Sequence, residues 1–239
     1  MSRSAKRAVL IALALTLALI ALLPLRIVFD MANLGARGVS ARAVEGTIWS
    51  GTVRDLKIGR LSLGDLDAGL SPAGLFGGEL VLAMTRADDA PGQPPLAFTL
   101  AKSGESIAMR DAVGEIATAD LFAPLPLRSV SLDGADIAFA GRRCAAASGA
   151  VRVNIEQSLF GLTLQRGLSG NLRCHGADLL VPLKGQSGLE QLDIRIRGTG
   201  RYSADFRLGG LAASAGPALS ALGFRQQGDA MAIRINGRF

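Results

Sequence analysis

Side chains that commonly carry chemistry are scarce in this chain. One histidine, two cysteines, one tryptophan and one tyrosine stand among 239 residues. A lone histidine, His175, excludes any metal centre built on several imidazoles and confines Ser-His or Cys-His catalysis to one position. No basic block with interleaved aromatics is present, which excludes the usual nucleic-acid footprint. The net charge of +6 does not alter this. Arg3, Lys6 and Arg7 supply three of those charges, leaving a mild excess of about +3 for a normally solvated surface. No glycine-anchored calcium loop surrounds Asp65, Asp67, Asp88 or Asp89. Long apolar runs are also missing, with a single exception at the N-terminus.

That exception organises the chain. Ala8 to Leu25 are 18 residues without a charge. As helix they rise roughly 27 Å, and Ile27 to Phe29 extend them past roughly 30 Å, the thickness of a bilayer's hydrocarbon core. Arg26 lies near the end, where a long cation reaches the headgroups. Pro24 lies in the last turn, where a missing N–H costs least. The basic flank holds no acid, so the positive-inside rule keeps the N-terminus in the cytoplasm. A cleaved signal peptide has a shorter core and a small-x-small site, and no Ala-x-Ala follows Pro24. The expected organisation is a cytoplasmic tail over 1–7, a transmembrane anchor over 8–29, a stem over 30–43 and an exported β domain over 44–239. The segment 119–127, ADLFAPLPL, is a possible divide between two halves of that domain.

Beyond the stem the apolar period becomes two. Val44 to Gly51 reads as a strand ending in a Ser-Gly turn, followed by strand-like runs at Thr52–Ile58, Arg60–Leu66 and Glu79–Thr85. Ser71–Gly78 is a turn-rich connection, and Asp88–Pro95 is a loop. Further runs occupy 96–101, 106–110 and 113–118. Asp133-Gly134 is a turn signal between 130–132 and 137–139. Val151–Ile155, Phe160–Leu164, Leu192–Ile196, Tyr202–Leu208 and Met231–Ile235 alternate, and a short helix is expected over 218–224. Thirty glycines without a period fit many turns. Such alternation buries one sheet face and wets the other, and short connections favour antiparallel neighbours. The expected fold is mainly β: a large bent antiparallel sheet after the helix, as an open groove, a sandwich or a partial barrel.

Cys144 and Cys174 face an oxidising compartment if the topology holds, which favours a disulfide closing a loop of about 31 residues. Two buried thiols, or a metal pair with His175, are the other readings, although two sulfurs and one histidine fall short of a zinc site. Gly185-Gln186-Ser187-Gly188 departs from a nucleophile elbow, and Gly198-Thr199-Gly200 lacks the remainder of a dinucleotide fingerprint. A hydrolase would need Ser187 with His175. The terminal Phe239 resembles the end of an outer-membrane barrel protein, but the strands are short for one. No catalytic constellation, cofactor site or metal site is found.

The stretch Val44-Glu45-Gly46-Thr47-Ile48-Trp49-Ser50-Gly51 resembles the type II secretion system protein N family. Gly59–Leu63 and the Leu179–Leu183 run after the second cysteine add to the likeness. Val44, Gly46, Thr47, Trp49, Ser50 and Gly51 match the family's stretch. The resemblance implies a non-enzymatic accessory protein of the bacterial inner membrane, single-pass, with a periplasmic β domain. Its expected partners are other type II secretion inner-membrane subunits, with the bilayer met through the anchor and no nucleic acid. A looser likeness is to the AsmA-like periplasmic β-groove proteins, which are usually much longer. It implies bound lipid and a role in lipid handling or outer-membrane assembly.

Overall fold

The computed structural model describes residues 3–31, 35, 38–86, 93–118, 122, 127–155, 167–211 and 216–238. The N-terminal apolar run forms two helices, α1 (Arg3–Ala21) and α2 (Leu25–Met31). The single helix expected from Ala8 to Phe29 is therefore broken, at Leu22–Pro24. Pro24 has no N–H to give the Ile20 carbonyl four residues earlier, and its ring crowds that carbonyl. Among the described residues, no helix is long and apolar enough to cross a membrane.

Nearly everything that follows is strand. In order come β1 (Val39–Ser40), β2 (Ala43–Gly46), β3 (Gly51–Ile58), β4 (Leu61–Leu70), the short helix α3 (Pro72–Phe76), β5 (Leu80–Arg86), β6 (Leu96–Ser103) and β7 (Ser106–Ala117). Then come β8 (Leu127–Ala140), β9 (Arg143–Ile155), β10 (Leu168–Asn171), β11 (Arg173–His175), β12 (Asp178–Lys184), β13 (Glu190–Ile196) and β14 (Arg201–Leu208). Helix α4 (Gly216–Ala221), β15 (Arg225–Gln227) and β16 (Ala230–Arg238) close the order. All the strands belong to one antiparallel sheet, and most pair with their sequence neighbours. Strands β1 and β2 share the edge of β3, β10 and β11 line up along β12, and β16 pairs with β14 while β15 takes its far side. No pairing joins the two ends among the described residues. The sheet is open, neither a sandwich nor a closed barrel.

A single sheet must curl to bury its own apolar face. The means are visible in two hairpins. In β3 the register shifts around Asp55, whose φ is 49°, and in β7 around Asp111, whose φ is 52°. Each of these N–H groups donates to a carboxylate across the hairpin, Asp65 at 2.7 Å and Asp136 at 2.9 Å. The next residues, Leu56 and Ala112, turn into the core. An extra residue of this kind bends a strand and increases its twist. The two sites share Arg-Asp followed by an apolar residue, a repeat that alternation does not reveal. Asp133-Gly134 is likewise a bulge inside β8 and not a turn, since β8 runs on to Ala140. A Cβ on Gly149, opposite, would lie 2.4 Å from the Gly134 carbonyl oxygen, so the strands approach there only through glycine.

The curl produces two apolar clusters. One gathers Leu25, Ile48, Val53, Leu56, Leu63, Leu66, Met84 and Leu96. The other is built from β7 to β16, with Val153, Leu168, Leu192, Ala204 and Phe206 fully enclosed and Leu219 of α4 packed on them. Leu61 and Phe98 touch both. Burial pushes the Tyr202 phenol up, against the smaller opposing effect of the Arg60 charge. Arg86, buried, donates to the carbonyls of Leu63, Pro94 and Glu115 and so ties three neighbouring segments together.

Cys144 on β9 and Cys174 on β11 are joined in a disulfide, with Cα atoms 5.6 Å apart. The bond uses both sulfurs and leaves none for a metal. Strand pairings confirm the runs over 192–196, 202–208 and 231–235. The expected strand at 160–165, residues 88–92 of the expected loop, most of 119–127, parts of the stem and Phe239 lie outside the described residues.

Replacing both cysteines by serine should lower the unfolding free energy by about 3–4 kcal/mol, the chain-entropy value for such a loop. Thermal or urea unfolding of oxidised and reduced protein checks this. Equal stability would show that the bridge constrains nothing.

Candidate functional site

The octet Val44–Gly51 joins the helical N-terminus to the sheet. It is less a strand than a clamp: β2 stops at Gly46, and Thr47–Ser50 form a tight reversal into β3. The Thr47 N–H donates to the Ser50 carbonyl at 3.0 Å, and the Ser50 N–H donates to the Thr47 hydroxyl at 3.3 Å. Gly46 has φ +84°, and a Cβ there would sit 2.6 Å from the Ser50 carbonyl oxygen. A Cβ on Gly51 would strike the Glu45 carbonyl oxygen at 2.6 Å and the Leu25 side chain at 2.8 Å. Gly46 therefore answers to both close approach and backbone handedness, and Gly51 to close approach alone. Val44, opposite Val53, packs on the N-terminal cluster.

The reversal presents its inner groups to the break between α1 and α2. The Trp49 indole N–H donates to the Ile20 carbonyl at 3.1 Å, and the Ile48 N–H donates to the Leu23 carbonyl at 3.0 Å. The Ile20 carbonyl is the acceptor that Pro24 leaves without its ordinary helical donor. Pro24 forms a bridge with Thr47. On the other side, the Leu70 N–H donates to the Ile48 carbonyl at 2.8 Å. Ile48 and Leu25 are buried side by side in the cluster. The clamp thus spans helix, reversal and β4. A groove of about 380 Å³ runs along its outer side, past Trp49, Thr52, Asp67 and Thr85. In that groove the Thr52 hydroxyl donates to Asp67 at 2.8 Å.

The clamp region holds no nucleophile–base pair. Ser187 follows β12 and His175 precedes it, so the strand separates them by roughly 20 Å or more. Ser187 donates instead to Glu190 in its own turn. Gly198-Thr199-Gly200 is the turn between β13 and β14, with Gly198 against the Arg142 backbone. A second groove, of about 560 Å³, crosses the outer face of β12, β13, β14 and β16. Arg195, Arg197, Arg201, Arg207 and Arg234 line it with three aspartates. The Asp205 hydrogen bond holds the Arg234 guanidinium above its ordinary range.

The sequence matches the family described as Type II secretion system (T2SS), protein N, over residues 37–234. The chain belongs to the type II secretion system protein N family. No curated protein and no solved structure matches it. The protein N match takes in the clamp and nearly all of the sheet, and it begins after α1 and α2. Membership makes the chain a component of type II secretion, a protein-transport machinery. The indole contact with Ile20 was not foreseen from the sequence. Its only signal there is a proline four residues after a carbonyl that then needs another donor.

Trp49→Phe keeps the ring and removes the N–H, so it should cost about 1 kcal/mol, the net worth of one hydrogen bond. Trp49→Ala should raise hydrogen exchange at Ile48 and Leu70 while leaving β12–β14 protected. Unchanged exchange at those amides would show that the indole clamps nothing.

Proposed function

We propose that this protein is a non-enzymatic accessory component of type II secretion. The apolar run that starts at Ala8 anchors it in the bacterial inner membrane, with residues 1–7 in the cytoplasm and the β domain in the periplasm. The observation behind this reading is α1 itself. Leu10, Ile11, Leu13, Leu15 and Leu19 are each more than half exposed, and nothing in the sheet covers them. An apolar surface of that extent calls for a lipid or protein partner. In this proposal the membrane-embedded run starts at Ala8 and reaches the break before Leu25, which packs on the sheet, with Arg3, Lys6 and Arg7 on the cytoplasmic side. The disulfide fits an oxidising periplasm.

The residues Val44, Gly46, Thr47, Trp49, Ser50 and Gly51 then act by orientation. They hold the anchor to the N-terminal edge of the sheet, so the sheet meets its neighbours at a set angle to the membrane. The sheet offers open edges and a charged outer face to other inner-membrane subunits of the machine. The lipid-handling reading lacks comparable support, because the groove across the C-terminal strands is walled by arginines and aspartates and not by apolar side chains.

Two measurements test the proposal. After alkaline washing of membranes, the protein should remain with the inner-membrane fraction, and protease added to spheroplasts should digest the β domain. Photocrosslinkers placed near Trp49 and Arg195 in cells should capture other secretion-platform subunits. A protein released by alkali, or captured only with outer-membrane assembly factors, would contradict it.

A further inference from the structure

A second apolar surface leaves the sheet beside the clamp. Residues Ala68–Gly78 contain no charged side chain. They end β4 and form α3, in which no residue is buried. Phe76 is 93% exposed, and Leu75 and Leu80 are 41% and 48% exposed. The knob is nonetheless firmly held. The Ser71 N–H donates to the Val81 carbonyl at 2.7 Å, and the Glu79 N–H donates to the Gly74 carbonyl at 2.9 Å. A Cβ on Gly74 would lie 2.8 Å from the Val81 side chain, so the turn sits directly on β5. Arg110 on β7 fixes Glu79 at the knob's base, at 2.7 Å. A rigid turn thus holds a phenylalanine away from the protein, and no contact among the described residues accounts for it.

Its position indicates what covers it. Leu70 bonds to Ile48, and the Trp49 carbonyl oxygen lies against Gly69, where a Cβ would meet it at 2.8 Å. Trp49 in turn holds Ile20 of α1. The knob and the exposed apolar helix therefore share one end of the sheet, joined through the same reversal. We infer that Leu75 and Phe76 insert into the interfacial layer of the lipid surface that receives α1, as a second foot beside the anchor. This inference rests on the reading of α1 as an anchor. Apolar side chains free of nearby charge on the knob suit the boundary between headgroups and acyl chains. A helix alone permits rotation and tilt. A helix with a second contact, held to it through Trp49, restricts both.

The test uses the full chain in nanodiscs of phosphatidylethanolamine and phosphatidylglycerol. The photoreactive residue benzoylphenylalanine replaces Phe76, and separately Leu13 on α1 and Gln226 on β15. Irradiation should yield lipid adducts at positions 13 and 76 and none above background at 226. Phe76 has no buried contact, so its replacement should leave the thermal midpoint unchanged. Adducts at 13 without adducts at 76 would overturn the second foot and leave the anchor standing. Crosslinking from 76 to a second copy of the chain would also overturn it. No adduct at 13 would remove the anchor reading and this inference with it.

Discussion

A helix broken by proline leaves carbonyls that must find other donors, and this structure depends on how they are found. Pro24 gives the Ile20 carbonyl no N–H. The Trp49 indole supplies one, and the Ile48 backbone does the same for Leu23. The Ile20 carbonyl keeps a long bond from the Leu23 N–H at 3.3 Å, and the sheet adds a shorter one, which turns the break from a defect into a joint. Each hydrogen bond is worth about 1 kcal/mol net, yet leaving such a group unmet costs more. The same reversal buries Ile48 against Leu25, so hydrogen bonding and apolar packing hold the same relative position.

The second constraint is that one sheet serves as the whole domain. The described residues form no opposite layer of comparable size, so the apolar face must turn in upon itself. The paired bulges at Asp55 and Asp111 bend the strands, and glycine allows the close contact between Gly134 and Gly149. Leu61 and Phe98 then bridge the clusters of the two halves. The disulfide stitches β9 to β11 where β10 and β11 divide the pairing along β12.

What could be read from the sequence was the local pattern. Leu192, Ile194 and Ile196 alternate with polar partners and form β13, and Tyr202 to Leu208 form β14 in the same way. The cysteines paired as their expected compartment favours. Several of the differences involve a partner distant in sequence. Asp-Gly at 133–134 carries the signal of a hairpin turn, but a neighbouring strand with glycine at 149 absorbs it as a bulge. The runs 106–110 and 113–118 join in one strand because Asp136 accepts the Asp111 N–H. Val44–Gly51 was legible as a motif, and its task was not, since an indole aimed at a carbonyl 29 residues earlier leaves no periodic trace. Phe76 lies in a glycine-rich connection with no periodic signal, and its exposure distinguishes it.

The central claim is that the Trp49 reversal holds helix and sheet in one orientation. Its most direct test is a pulsed electron spin resonance distance between labels borne by non-natural residues at Leu13 on α1 and Ala83 on β5, in full-length protein in nanodiscs. The account predicts a narrow distance distribution in the native chain and a broad one in Trp49→Ala, with the disulfide intact in both. A broad distribution in the native chain, or a narrow one that survives Trp49→Ala, would contradict it.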